Sequence, residues 1–191
     1  MDHQETALLF DEHSDWDMKI KLGYRLWQFQ QSFKPSLSQK DWDRIRLFLS
    51  PVEIGLFTKM PVPDQNHSFR VFNSVLNEGE DDEDLIKAAL LHDIGKGLHP
   101  LRRWERIFAV LVDGFSPGLA IKWGKGEPEG FKRPLVIIRQ HPIWGAELAR
   151  KIGSSETVTW LIQNHENYQP PASSQRKLEL LNILQLADNQ N

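Results

Sequence analysis

The stretch Leu90-Leu91-His92-Asp93-Ile94-Gly95-Lys96 sets an imidazole and a carboxylate side by side at the end of an apolar run. Two ionisable groups at a buried helix end are costly unless something pairs with them, and a divalent metal is one such partner. Imidazole supplies a neutral nitrogen ligand, and the carboxylate supplies charge that offsets the cation. Gly95 permits a tight exit from the helix. Lys96, about one turn after His92, can turn toward the same site as a phosphate contact. A His-Asp dipeptide by itself occurs by chance, but here it has companions. His67 lies 25 residues before His92, and Asp188 lies 95 residues after Asp93. Asp188 closes an apolar helix whose buried face does not need an acid.

The bulk of the chain bounds this chemistry. With 191 residues, 40% hydrophobic and 26% charged, it has enough chain for one well-buried core. There is no cysteine, so neither disulfides nor thiolate ligands are available. A metal must be held by His, Asp and Glu, which suits one or two divalent ions: Mn, Fe or another transition metal, with Mg also compatible. A net charge of −3 argues against a surface built to coat nucleic acid. No apolar stretch reaches the roughly 18 residues that span a bilayer, and the acidic start has no apolar signal core. The expected location is cytoplasmic, with no membrane partner.

The elements that must position these groups read as helices throughout. Met18–Phe33 is amphipathic and stops at Pro35; Ser38 and Ser50-Pro51 are N-cap signals for two further helices. Pro61-Val62-Pro63-Asp64 punctuates the chain, and a helix is expected over His67–Leu76. The acidic run Glu78–Asp84 leads into a helix over Leu85–His92, where acids suit the helix dipole. Leu101–Val112 carries Trp104, Ile107, Phe108 and Leu111 on one face. Asp113–Pro134, rich in Gly and Pro, reads as one long irregular stretch, and Leu135–Ile152 as one or two helical pieces interrupted near Pro142. Helices over Ser155–Asn164 and Gln175–Asp188 complete the chain. No segment alternates as a strand does, so the expected class is all-α.

The order His67, His92-Asp93, Asp188, with the local text His92-Asp93-Ile94-Gly95-Lys96, resembles the HD superfamily of metal-dependent phosphohydrolases over roughly residues 60 to 191. His141-Pro142-Ile143-Trp144-Gly145-Ala146 is similar to the family's His-Pro-x-x-Gly-Ala segment, and Asn164-His165-Glu166 to its later histidine segment. The resemblance implies a compact multi-helix HD bundle, expected over residues 56–191 after a helical extension over 1–55; the insertion over Leu98–Pro134, between Lys96 and His141, departs from the family and fits no particular branch. Residues 1–55 would pack on the bundle or form a homodimer contact. It implies that His67, His92, Asp93 and Asp188 bind one metal, that Asp93 bridges to a second held by His141 and His165, and that Lys96 contacts phosphate. Asn164 stands where the HD-GYP branch has the first histidine of a pair, and that branch's Asp-Gly-x-Gly-Tyr-Pro text is replaced by Tyr168-Gln169-Pro170-Pro171. The remaining pattern is closer to dinuclear members, including the branch that cleaves symmetrical dinucleoside tetraphosphates.

A dinuclear site acidifies a bridging water and takes up phosphoryl charge, so metal-activated hydroxide is the expected nucleophile, oriented by Asp93. Residues 96–133 hold eight Lys or Arg against four acids, a positive balance that would attract a nucleotide-like small molecule, with Arg102 and Arg103 as candidate contacts beside Lys96. Glu166 could join the site or lie on the surface. His99 could line its mouth, and His3 and His13 are not expected as ligands. The rival expectations are a metal-binding signalling or scaffold module with weak catalysis and, against the acidic charge, a nucleic-acid phosphodiesterase.

Overall fold

Short polar signals start most of the helices, as the sequence suggests. A computed structural model describes residues 36–171 and 173–191; the Met18–Phe33 helix, His3 and His13 lie outside that range. Ser38 caps α1 (Gln39–Ile45) and Ser50 caps α2 (Pro51–Phe57). In both, an acid three residues on, Asp41 or Glu53, accepts from the N-cap N–H and closes a capping box. The third helix, α3 (Val62–Asn77), begins five residues earlier than the sequence suggests. Its prolines fall at the N-cap and the first turn, where a missing N–H costs nothing, so they open the helix instead of preceding it. Asp82 caps α4 (Glu83–Leu91), accepting from the Asp84 and Leu85 N–H groups at 3.1 Å.

The central helix is α4. Leu85, Ala88, Ala89, Leu90 and Leu91 are wholly buried, so past its charged first turn and Lys87 this helix is apolar over most of its surface and must be largely surrounded. Around it pack α3, α8 (Glu156–Asn164), α9 (Gln175–Asn189) and α2. Phe57, Phe72, Leu161, Ile162, Leu180 and Leu184 fill the same core, and Ile45 and Leu49 extend it toward α1. Burying one such side chain contributes about 1.5–3 kcal/mol. The described residues form nine α-helices, two 3₁₀ turns and no strand, an all-α fold.

Between the 3₁₀ turn Ile94–Gly97 and α7 (Arg133–Lys151) the chain is more ordered than its glycines and prolines suggest. It forms α5 (Arg103–Phe115), α6 (Pro117–Trp123) and a short 3₁₀ turn, Gly130–Lys132. Pro117 sits in the first turn of α6, where proline is favourable, so the expected irregular stretch over 113–134 is in large part helical. These helices build a second, smaller core of Ala109, Ala120 and Leu135, with Phe108 and Val112 against it. The face carrying Trp104, Ile107 and Leu111 points outward and continues to Phe115, 73% exposed; only Phe108 of the expected face turns in.

Two half-buried ion pairs moor these helices. Arg106 on α5 makes a forked contact with Asp64 on α3 at 2.6 and 2.9 Å, and Arg133 reaches both oxygens of Glu105 at 2.6 and 2.7 Å. Burial pushes the Glu105 carboxyl up, but the Arg102 N–H and the Arg133 guanidinium outweigh it and hold the pKa below its ordinary 4.5. The folded state therefore holds that proton less tightly than the unfolded chain. Its stabilisation is present above pH 4.5 and is lost as pH falls through the lower folded pKa. Thermal melts of Glu105→Gln against wild type across acid pH are expected to show a difference near neutrality that closes as pH drops. No helix among the described residues is long and apolar enough to cross a membrane.

Candidate metal centre

Five elements end or pass at one point near the bundle's middle. His67 comes from α3, His141 from α7 and Asp188 from the last turn of α9. His92 and His165 are the C-cap residues of α4 and α8, and Asp93 follows His92 at the start of the 3₁₀ turn. His92, Asp93, His141 and His165 are 2% exposed or less. A C-cap position places a side chain at the end of a buried helix, where the backbone turns away and leaves room for a ligand.

The ring orientations are fixed from behind. His92 Nδ1 lies 3.0 Å from the Ala89 carbonyl, His141 Nδ1 2.8 Å from that of Ile138, and His165 Nδ1 2.8 Å from that of Ile162. A carbonyl can only accept, so each Nδ1 carries a hydrogen, and in the neutral ring Nε2 is left with a bare lone pair. Those lone pairs converge. His141 Nε2 lies 3.3 Å from His165 Nε2 and 3.0 Å from Asp93 Oδ1, so with neutral rings three acceptors face one another. His92 Nε2 and Asp93 Oδ1 are buried with no hydrogen-bond partner. Such an arrangement is repulsive unless a proton or a metal cation enters it. The donors form two groups, His67–His92–Asp188 and Asp93–His141–His165, each with its ligand atoms within 4.8 Å of one another. Asp93 belongs to the second through Oδ1, while Oδ2 faces His92 Nε2 at 3.7 Å. An all-nitrogen-and-oxygen donor set of this kind fits divalent first-row ions.

The charges are arranged accordingly. Burial pushes the Asp93 carboxyl up, but Lys96, whose Nζ lies 2.7 Å from Oδ2, draws it well below the usual range. Burial disfavours the charged Lys96, yet Asp93, Asp64 and Glu166 raise its pKa to about 12. Burial and the neighbouring His92 and His141 lower His165 to about 3, and burial lowers His92 as well, so both are neutral and competent ligands near pH 7. His67 is the exception. Burial works against its charged form, but the 2.8 Å contact with Asp188 prevails and raises its pKa. Burial also opposes the charged Asp188, and His92 and His67 together lower its pKa.

Pro142 has a specific part in this. The α7 helix runs unbroken through it, instead of breaking into two pieces. A proline at 142 has no N–H for the carbonyl four residues back, which is Ile138. That carbonyl is the one that accepts from His141 Nδ1. The imidazole thus takes the place of the missing N–H, which both orients the ligand and lets the helix continue. Pro142→Ala is expected to raise thermal stability, because proline inside a helix costs about 3 kcal/mol. It is also expected to lower metal affinity roughly 10–100-fold, the usual cost of losing an outer partner to a ligating histidine. Calorimetric metal titration beside thermal melts would show the opposite signs.

A family model for the HD domain matches residues 65–190. The chain belongs to the HD-domain family. Members are generally metal-dependent phosphohydrolases that bind divalent ions, and the six convergent histidines and aspartates lie within the matched range. No curated protein and no solved structure matches the chain significantly.

The other candidate residues divide by place. Lys96 and Glu166 line a cavity of about 570 Å³ that opens beside the centre, and Glu166 Oε1 stands 3.8 Å from His141 Nε2. Arg102 and Arg103 are exposed at the start of α5 and are not among the described residues lining that cavity. His99 packs on Trp144, with ring centroids 5.0 Å apart, and is likewise not among the lining residues. Asn164 is buried and donates to the Trp160 carbonyl at 2.8 Å, so it braces the end of α8. Sequence reasoning gave no part to Asp64, whose charge acts on Lys96 and whose partner Arg106 feels Asp93. The two lie 42 residues apart, and no local pattern links them.

Proposed function

We propose that this HD-domain protein is a phosphohydrolase that cleaves a phosphoester or phosphoanhydride bond in a nucleotide-like small molecule. The observation that carries the reading is the sharing of Asp93. One oxygen joins the lone pairs of His141 and His165, and the other meets Lys96 at 2.7 Å, all beside an open cavity. In this reading His67, His92, Asp93 and Asp188 hold one ion, and Asp93, His141 and His165 hold a second. When bound, the metals supply a water acidic enough to act as nucleophile near neutral pH and positive charge for the phosphoryl oxygens. The chain's own part is positional. The carbonyls behind three of the histidines hold their rings in one orientation, and burial around the centre keeps its electrostatics strong. Lys96 stays protonated and stands where it can bond a non-bridging phosphoryl oxygen. Small phosphorylated molecules are the proposed partners, in preference to nucleic acid.

The test is metal-dependent turnover. Purified protein stripped with a chelator and reloaded with Mn²⁺ or Fe²⁺ would be offered a dinucleoside tetraphosphate, guanosine tetraphosphate, nucleoside mono- and triphosphates and a cyclic dinucleotide. Release of phosphate or nucleotide that vanishes on stripping and returns on reloading is the expected result. Retained metal with no turnover of any member would favour the binding-module reading instead.

A further inference from the structure

The cavity beside the centre joins two unlike surfaces. At one side it meets His67, His165, Asp188 and Lys96; another side is apolar, with the half-buried Val110 of α5 and Ile138 of α7 at its surface and the buried Ala109, Ala120 and Leu135 behind them, and Tyr168 and Asn189 stand at its edge. That second wall is the small apolar core formed by α5, α6 and the start of α7. The cations facing the cavity among the described residues are Lys96 and Arg139. Each already faces a carboxylate, Lys96 that of Asp93 at 2.7 Å and Arg139 that of Asp113 at 3.0 Å. Asp113, Glu166 and Asp188 face the same space. The insertion's other cations do not line this cavity. Arg106 is bound to Asp64 and Arg133 to Glu105, and Arg102, Lys122, Lys125 and Lys132 are not among the lining residues.

A polyphosphate chain carries charge along its whole length and needs donors along its whole length. This cavity offers positive charge at the metal centre and an apolar wall beyond it. We infer that the substrate carries a single phosphoryl group on an organic body with an apolar face, as an aryl phosphate or a nucleoside monophosphate does, and that polyphosphates are poor substrates. This rests on the phosphohydrolase reading above. The Arg139–Asp113 pair sets a donor beside an acceptor on the same wall, suited to a hydroxyl group or a heterocycle edge. The reaction breaks the ester P–O bond and forms a P–O bond to the water oxygen. Inorganic phosphate leaves on one side, and the alcohol, which takes up the proton, leaves on the other.

The test uses the full-length, metal-loaded protein and two readouts. By calorimetry, phenylphosphonate is expected to bind at least ten times more tightly than methylphosphonate, and Val110→Phe, which narrows the apolar wall, should bring that ratio back toward one. In turnover, kcat/KM for phenyl phosphate and a nucleoside monophosphate should exceed that for tripolyphosphate by at least tenfold. Equal binding of the two phosphonates, or tripolyphosphate cleaved as readily as the monoesters, would overturn the inference, and the wild-type comparison decides this even if the variant does not fold. Should the phosphonates bind in the expected order while nothing is hydrolysed, the ligand class stands and the phosphohydrolase reading fails.

Discussion

Replacing Gly95 with alanine is expected to damage the fold and the metal centre together. The 3₁₀ turn that follows Asp93 packs directly against α7, backbone on backbone. A Cβ at residue 95 would land on the His141 carbonyl oxygen and 2.8 Å from the Gly145 nitrogen. Neither neighbour is a flexible side-chain end, so relief requires the turn and the helix to separate. Gly145 is itself close, since a Cβ there would stand 3.3 Å from the Gly95 nitrogen and 3.0 Å from Ile162. Overpacking of this sort costs about 3 kcal/mol, which for a chain of this size lowers Tm by roughly 6–12 °C. Separation also pulls Asp93 away from His141, now 3.0 Å apart, so metal affinity should fall with stability. Gly114→Ala is the control. It lies in α5 with nothing within 4 Å of its would-be Cβ, and alanine there should stabilise by about 0.5–1 kcal/mol. Urea unfolding of the two variants beside wild type would test both signs.

Asp93→Ala should have the largest effect on turnover. Asp93 sets Oδ1 against His141 and His165, Oδ2 toward His92, and pairs with Lys96, so its loss removes a candidate ligand that lies between the two groups and leaves the Lys96 ammonium short of its nearest carboxylate. Metal ions contribute several kcal/mol of transition-state stabilisation, and at about 1.4 kcal/mol per decade their loss lowers kcat/KM on the order of 10³-fold. The secondary structure should persist, because the helices around Asp93 are held by the Leu90, Leu91 and Ile162 core. Steady-state kinetics with circular dichroism separates the two effects. Turnover within tenfold of wild type would mean that the centre is not where hydrolysis occurs.

How much of this was legible in the sequence follows from what each feature depends on. The His92-Asp93 turn is local, and an apolar helix ending in two ionisable groups announces itself in the text. Resemblance to the HD pattern supplied His141 and His165, which no spacing rule connects to His92. The serine caps of α1 and α2 were legible because capping boxes are short-range. The continuity of α7 was not, since proline signals a break unless a side chain takes the freed carbonyl, as His141 does. Nor were α5 and α6 legible in full: their packing on α7 outweighs the weak propensity of a Gly- and Pro-rich stretch. Gly95 was expected to serve the helix exit. Its φ is not positive, and the demand for glycine comes instead from α7, 46 residues away at His141. The charge balance of the insertion was countable from sequence, whereas its spending on Asp64 and Glu105 required the fold.

The central claim is that the convergent histidines and aspartates hold divalent metal, and elemental analysis of the purified wild-type protein tests it most directly. Inductively coupled plasma mass spectrometry, run beside Asp93→Ala prepared in the same way, should find one to two transition-metal ions per wild-type chain and clearly fewer in the variant. Wild-type protein that holds no ion, and takes up none when dialysed against Mn²⁺ or Fe²⁺, would contradict the account.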